Sequence, residues 1–459
     1  MIVNRYYIDC LSQASYLIGD ETSGKAIVVD PRRDIAEFLD ETRRLGLHIV
    51  GVINTHFHAD FVAGHLEVAE ATGAWIGYGS RAVTDYPIRH LAHGDHVSLG
   101  EVDIEVLETP GHTWESISLL VRDHASDPVG KAVLTGDALF IGDVGRPDLA
   151  AAVGADPLEL ARAQYHSITE VLMALPDSVR VLPAHGAGSA CGKNLSTELE
   201  STIGAERRTN PSVAPMSEDA FVTMVTTGQP AIPDYFGVDA LLNRHDRPLM
   251  AITPVADVLT PLQLRSLMTP SGTVVDTRTP DEFAAGHLRG SINIGIDGRF
   301  AETAGMVFDW RDRIAIIADE GRQDEVALRL GRIGFDNVAG YTEASASIRE
   351  LADLGQTALR IPPEQLETTV RRKSALVVDV RNAGERELGA IPGSVHLPLA
   401  DIRRRHAELP ADRMLVVHCA SGWRSSVAAS FLRVLGHSRV ADLEGGYNAW
   451  NRLQTHVAA

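Results

Sequence analysis

Apolar positions fall into short β-branched runs through the first 190 or so residues. The runs are KAIVVD from Lys25, HIVGVINTH from His48, VDIEVLETP from Val102, SISLLVRD from Ser116, KAVLTGD from Lys131 and VRVLPAHG from Val179. Each stops at a polar or glycine-bearing turn, which predicts buried strands. Two stretches between them, DIAEFLDETRRLG from Asp34 and GHLEVAEATG from Gly64, space their apolar residues at helical intervals. The pattern predicts an α/β sheet protein with its chemistry at strand ends. Thr197 to Asp246 holds helical stretches interrupted by prolines, and the pattern alone does not order them.

The second half repeats itself. VVDTRTPDEFAAGHLRGSINI from Val274 is answered by VVDVRNAGERELGAIPGSVHLPL from Val377, and RLGRIGFDNVAGY by FLRVLGHSRVADLEGGY. Asp276 with Asp379, Arg278 with Arg381 and Gly290 with Gly393 keep one constant spacing. Two copies of an α/β domain of about 100 residues account for this. The proline-bearing segments RHDRPLMAITP and ALRIPPEQ mark boundaries, giving domains 1–245, 256–355 and 360–459.

Composition narrows the partners. The net charge of −19 disfavours nucleic acid and anionic membrane surfaces, although local arginines leave a small anionic substrate open. No apolar stretch reaches the 18 or so residues of a membrane span, and the start has no signal-peptide core. Three distant cysteines, Cys10, Cys191 and Cys419, are no disulfide framework and suit a reducing, cytoplasmic compartment.

The first half carries an ordered series of metal-ligand types. Thr55-His56-Phe57-His58-Ala59-Asp60-Phe61 follows a predicted strand, and Gly111-His112, Gly136-Asp137 and Ala184-His185 each follow another. Imidazoles and carboxylates converging from successive strand ends form a metal site. The series resembles the metallo-β-lactamase superfamily over 1–245, which implies an αββα sandwich. The family's dinuclear hydrolases read HxHxDH; here the last His is Phe61, which favours one ion. The persulfide dioxygenase branch is the most similar. That resemblance implies one Fe(II) per chain held by His56, His112 and Asp137, with His58, Asp60 and His185 orienting the ligands. It also places Arg146, in the Gly145-Arg146-Pro147-Asp148 segment, as a clamp for a substrate carboxylate; an ion pair with Asp143 or Asp148 is the competing use. Cys191 is expected either at the metal mouth, meeting substrate, or as an inert buried thiol.

The second repeat carries Cys419-Ala420-Ser421-Gly422-Trp423-Arg424 between a strand and a helical run. A thiolate there gains from loop N–H groups, the helix N-terminus and Arg424. C-x-x-G-x-R resembles rhodanese sulfurtransferases, which implies that Cys419 is the sulfur-carrying nucleophile. The first repeat reads Ala318-Asp319-Glu320-Gly321-Arg322-Gln323-Asp324-Glu325 at the matching loop, with no cysteine and four acidic residues. That copy is expected to be catalytically silent and to serve as a spacer, docking surface or oligomer contact.

The resemblances together imply an enzyme that oxidises a low-molecular-weight thiol persulfide with O2 to sulfite and thiol, coupled to sulfur transfer among sulfite, thiosulfate and the Cys419 persulfide. The families also imply a homo-oligomer, dimer or tetramer. A zinc-dependent thioesterase of the glyoxalase II type with an appended sulfurtransferase is the alternative.

Overall fold

The computed structural model describes residues 1–149, 151, 154–229, 232–251, 256–268 and 272–457. The chain divides into two compact units: Met1–Thr253 with Gly331–Gly334, and Pro254–Leu330 with Phe335–Ala459. Both repeats therefore belong to the second unit, apart from Gly331–Gly334 of the first. The proline-bearing boundary expected after Arg244 runs into residues 252–255, and the end of the expected third domain, 458–459, also lies outside the described residues.

The first unit is built on two six-stranded sheets. One orders β1 (Ile2–Ile8), β2 (Gln13–Asp20), β3 (Lys25–Val29), β4 (His48–Ile53), β5 (Trp75–Gly79) and β6 (Arg89–Leu91) side by side. The other contains β7 (His96–Ser98), β8 (Asp103–Glu108), β9 (Ile117–Arg122), β10 (Ala132–Gly136), β13 (Arg180–Pro183) and β14 (Ser201–Thr202), with a small hairpin of β11 (Leu139–Phe140) and β12 (Asp143–Val144) beside β10. Every strand predicted from the apolar runs is present, as are both helices, α1 (Ala36–Leu45) and α2 (His65–Thr72).

Side-chain alternation makes the layers. Tyr16, Ile18, Ile27 and Val29 from the first sheet meet Ile104, Val106, Leu119 and Val121 from the second in one core. Their neighbours Leu17, Ala26 and Val28 face outward onto Phe38 of α1 and Leu66 of α2. On the far side, Leu120 and Val133 pack against Ala161 of α3 (Pro157–His166) and Phe221 of α5 (Glu218–Thr226). The result is helix, sheet, sheet, helix. The proline-interrupted stretch resolves into α4 (Ile203–Thr209), α5 and α6 (Tyr235–Leu242), with Thr202 and Ser217 capping α4 and α5 through their hydroxyls.

The second unit holds two parallel sheets that repeat one plan. The first copy orders β17 (Ser291–Asn293), β15 (Gly272–Asp276), β18 (Arg313–Ala318) and β19 (Val338–Glu343). The second orders β21 (Leu359–Ile361), β25 (Val440–Leu443), β24 (Leu415–His418), β22 (Leu376–Asp379) and β23 (Val395–His396). The paired residues read from the repeat keep their geometry. Arg278 grips Asp276 at 3.0 and 2.6 Å, and Arg381 grips Asp379 at 2.9 and 2.8 Å. Helix α10 (Gln323–Gly331) follows β18 as α15 (Trp423–Val434) follows β24.

Candidate metal centre and thiol loop

The ends of β4, β8, β10 and β13 deliver His56, His112, Asp137 and His185 to one buried spot. Gly136 makes the turn before Asp137: it sits at φ +51° against Thr55, where a Cβ would meet the Thr55 hydroxyl at 2.6 Å. Donor atoms of His56, His112 and Asp137 all lie within 4.8 Å of one another, and so do those of Asp60, His185 and Cys191. All six residues are buried.

Hydrogen bonds fix which nitrogen of each imidazole faces the centre. Thr55 Oγ1 lies 2.9 Å from Asp30 Oδ2 and 2.9 Å from His56 Nδ1. Its single proton goes to the carboxylate, so His56 Nδ1 carries the hydrogen and Nε2 keeps its lone pair. His112 Nδ1 donates to the Arg146 carbonyl at 2.9 Å, which leaves its Nε2 free in the same way. The two Nε2 atoms stand 3.8 and 3.6 Å from Asp137 Oδ2, a buried oxygen with no hydrogen-bond partner. Two lone pairs and an unpartnered carboxylate oxygen facing one another in a dry site fit a divalent cation.

One nitrogen of His58 is engaged outside this group, and the other, Nδ1, is buried without a hydrogen-bond partner. Its Nε2 is 3.0 Å from Asp30 Oδ1, and its ring lies between His56 and Phe61, with centroids 4.2 and 4.3 Å away. Phe61 is wholly buried, so an aromatic face occupies that wall. His185 sits between two carboxylates: Nδ1 is 2.7 Å from Asp137 Oδ1 and Nε2 is 2.8 Å from Asp60 Oδ2.

The electrostatics follow from burial and these neighbours. Burial holds His56 and His112 below the usual imidazole range, against the pull of Asp137. Burial alone would raise Asp137, but the His185 and His56 charges hold it far below the carboxylate range. Burial opposes protonation of His185 too, and there Asp137 and Asp60 win, raising it well above its ordinary value. Burial, then Asp60 and Asp137, push the Cys191 thiol up.

Arg146 is buried, and Asp148 takes its guanidinium at 2.7 and 2.7 Å while the Ala190 carbonyl accepts at 3.2 Å. The competing use allowed by the sequence is thus the one adopted, and a substrate carboxylate reaches this guanidinium only by sharing it with Asp148. Two further residues hold the centre and were not legible in the sequence. Asp30 anchors Thr55 and His58, reaching them from a left-handed backbone at φ +49°. Asn243 ties down the histidine loop, donating to the His58 and Phe61 carbonyls at 2.8 and 2.9 Å and accepting from Ala63 N at 2.8 Å. It follows α6, inside the stretch that resisted assignment.

In the second unit, β24 ends at His418 and the chain enters α15 at Trp423. Gly422, at φ +102°, turns its N–H onto Cys419 Sγ at 3.1 Å, and Ser425 Oγ stands at 3.8 Å. Tyr447 N and Asn448 N bind the Cys419 and Ala420 carbonyls at 2.7 and 3.0 Å, which locks the loop. Arg424 is paired with Glu385 at 2.7 and 2.7 Å; burial works against its charge, and Glu385 and Cys419 reinforce it. Ser421 and Trp423 complete the loop, and Trp423 packs against Gly295 and Gly298 of the first copy. In that copy Gly321 has the same left-handed turn at φ +83°, and Ala318 stands three residues before it, as Cys419 stands before Gly422. Arg322 there is held by Asp297 and Glu325 at 2.7 and 2.9 Å.

Residues 8–185 match the metallo-beta-lactamase superfamily, and residues 260–346 and 362–453 each match the rhodanese-like domain. The chain is 32 % identical to a metallo-beta-lactamase of known structure from Staphylococcus aureus subsp. aureus COL, with a TM-score of 0.68 over 75 % of this chain and 99 % of that one. It is 29 % identical over 215 residues to the persulfide dioxygenase ETHE1, mitochondrial, of Bos taurus, covering 46 % of this chain and 75 % of that protein. It is 34 % identical over 192 residues to a hydroxyacylglutathione hydrolase of Polaromonas, covering 40 % of this chain and 66 % of that protein.

Proposed function

The chain belongs to the metallo-beta-lactamase superfamily and carries two rhodanese-like domains after that fold, and from this premise we propose that it is a persulfide dioxygenase joined to a sulfurtransferase. One observation carries the reading: two imidazole lone pairs and one unpartnered carboxylate oxygen, from His56, His112 and Asp137, form one donor set, while His58 Nε2 is taken by Asp30. This is the 2-His-1-carboxylate arrangement, which suits Fe(II) and leaves positions open. A single ferrous ion held there supplies activation of dioxygen beside a bound sulfur.

The chain's own residues do the rest. Asp30, through Thr55, and the Arg146 carbonyl hold both imidazoles in the ligating tautomer. His185 and Asp60 line the other side, and Cys191 borders them where a persulfide would enter. Arg146 answers a substrate carboxylate in exchange for part of its grip on Asp148. Phe61 gives the site one apolar wall, against the His58 ring. In the overall reaction the persulfide's terminal sulfur takes both atoms of O2. Water then cleaves its bond to the thiol sulfur, releasing sulfite and thiol.

Cys419 works separately. Its thiolate attacks the outer sulfur of thiosulfate, the S–S bond breaks, and sulfite leaves with the electron pair; the reverse step makes thiosulfate. Loop N–H groups and the start of α15 stabilise the sulfur anion. The first copy, with Ala318 in that place, is catalytically silent and forms a wall behind Trp423. The free cysteines suit a cytoplasmic setting, and assembly as a dimer or tetramer is carried over from the resemblance. Among the described residues no helix is long and apolar enough to cross a membrane.

Glutathione persulfide added to anaerobically purified full-length protein tests the reading. O2 uptake matched by sulfite release is expected; no uptake from metal-replete protein overturns it. A competing reading, a two-ion thioester hydrolase, draws on the second donor group of Asp60, His185 and Cys191. Hydrolysis of an acyl-glutathione thioester without O2 uptake favours that reading instead.

A further inference from the structure

Within the second unit, a groove of about 660 Å³ runs between the two copies and is lined by Arg289, Arg403 and Arg433. It lies at the C-terminal end of α15, the opposite end from Cys419, and a helix of 12 residues spans about 18 Å. Neither sulfur transfer nor the metal centre uses these residues.

Three guanidinium groups on one concave wall are unusual in a chain of net charge −19. Among the described residues, none of the three forms an ion pair. The carboxylate that acts on Arg433, Asp442, is bound by Arg360 at 3.1 Å, and the one that acts on Arg289, Asp353, is bound by Arg265 at 2.9 and 2.7 Å. Arg433 donates only to the Val440 carbonyl, at 3.3 Å, and Arg403 donates to the Val307 carbonyl. Asp312 is the carboxylate on the lining, and its Oδ2 already accepts from Thr273 Oγ1 at 2.8 Å and Asp309 N at 3.1 Å. Burial lowers the Arg433 pKa, and Asp442 opposes that shift without overcoming it.

Ile292, Phe431, Val434 and Leu435 give the lining an apolar strip, beside polar residues that include His287, Gln356 and Ser430. The volume falls within the roughly 300–1,000 Å³ of small-molecule sites. Sulfite and thiosulfate would fill little of it. Guanidinium forks match phosphate oxygens in pairs.

We propose that this groove binds a phosphate-bearing ligand, with the three arginines on the phosphate and the apolar strip on any organic body. Asn293 lies directly beneath: Ser430 Oγ accepts from its backbone N–H at 3.0 Å, and Ser426 donates to its side chain at 2.6 Å. An occupant therefore bears on the seam that joins the two copies.

Isothermal titration of the full chain at fixed ionic strength, with ADP and separately with inorganic phosphate, tests this. Saturable binding of either probe is expected, weakened at least about tenfold by Arg289→Gln with Arg433→Gln, with thermal melting and thiosulfate:cyanide transfer unchanged. Tighter ADP binding identifies an organic phosphate as the occupant, and equal binding identifies free phosphate. Arg289→Glu, at an exposed position, checks the result if the double variant folds poorly. Absence of binding by both probes, or binding indifferent to these substitutions, overturns the proposal.

Discussion

At Cys419 nearly everything the sulfur meets comes from one strand, one turn and the first residues of one helix. The metal centre is drawn instead from four strand ends in two sheets, and its tautomers are set by residues farther off still, Asp30 and Arg146. The thiol loop is thus local and rests on the Gly422 N–H and the Ser425 hydroxyl, whereas the metal centre is global and rests on side-chain donors. The first copy keeps the left-handed turn, at Gly321, and has Ala318 in the position that Cys419 takes. A centre of the second kind is sensitive to every element that aims a ligand.

The sharpest way to break this comparison is at Asp137. Asp137→Asn removes the anionic ligand, and O2 uptake should fall by about three orders of magnitude with loss of bound metal, while sulfur transfer by Cys419 stays within about twofold. Parallel loss of both activities, at unchanged melting temperature, would show that the sites are not independent. Cys419→Ser is the converse. Thiosulfate:cyanide transfer should drop by about three orders of magnitude and O2 uptake should persist; surviving transferase activity would mean that the nucleophile is misassigned.

Thr55→Val probes the long reach of the metal centre, because it cuts the link from Asp30 to His56 and leaves the ligands in place. Metal affinity should weaken by about 10–100-fold, read by chelator competition. No change would mean that His56 keeps its tautomer without Thr55.

The smallest effect on chemistry concerns stability of the first unit. Burial opposes ionisation of Glu67, but Arg247 and then Arg33 overcome it and hold its pKa at about 2, below the ordinary 4.5. A depressed folded pKa stabilises above the ordinary value, so this contribution is complete above pH 4.5 and is lost as pH falls towards 2. Glu67→Gln should cost about 3 kcal/mol of stability at neutral pH by removing the negative charge that Arg247 and Arg33 face, with the difference from the parent shrinking in acid. Denaturant unfolding followed against pH reads both.

The same local-versus-global contrast explains what the sequence disclosed. The runs from Lys25, His48 and Lys131 were legible because β-branched residues buried on both faces leave a continuous apolar signature. Strand β2 left none: its Gln13 and Ser15 are buried, satisfied by the Asp30 carbonyl at 3.0 and 2.7 Å. The Cys419 loop was readable as a contiguous motif, and the His and Asp series from His56 to His185 by its order after strands, with the family resemblance alone selecting His56, His112 and Asp137 from it. Asp30 and Asn243 were not, since their roles arise from contacts 25 and 185 residues away along the chain. The pairing of Arg146 with Asp148 was one of two uses the sequence allowed, and only packing could choose.

Metal stoichiometry of the anaerobically purified full chain, by elemental analysis, tests the central claim most directly. One iron per chain, with zinc at trace level, is the result this account predicts. Two ions per chain, or zinc at full occupancy, would contradict it.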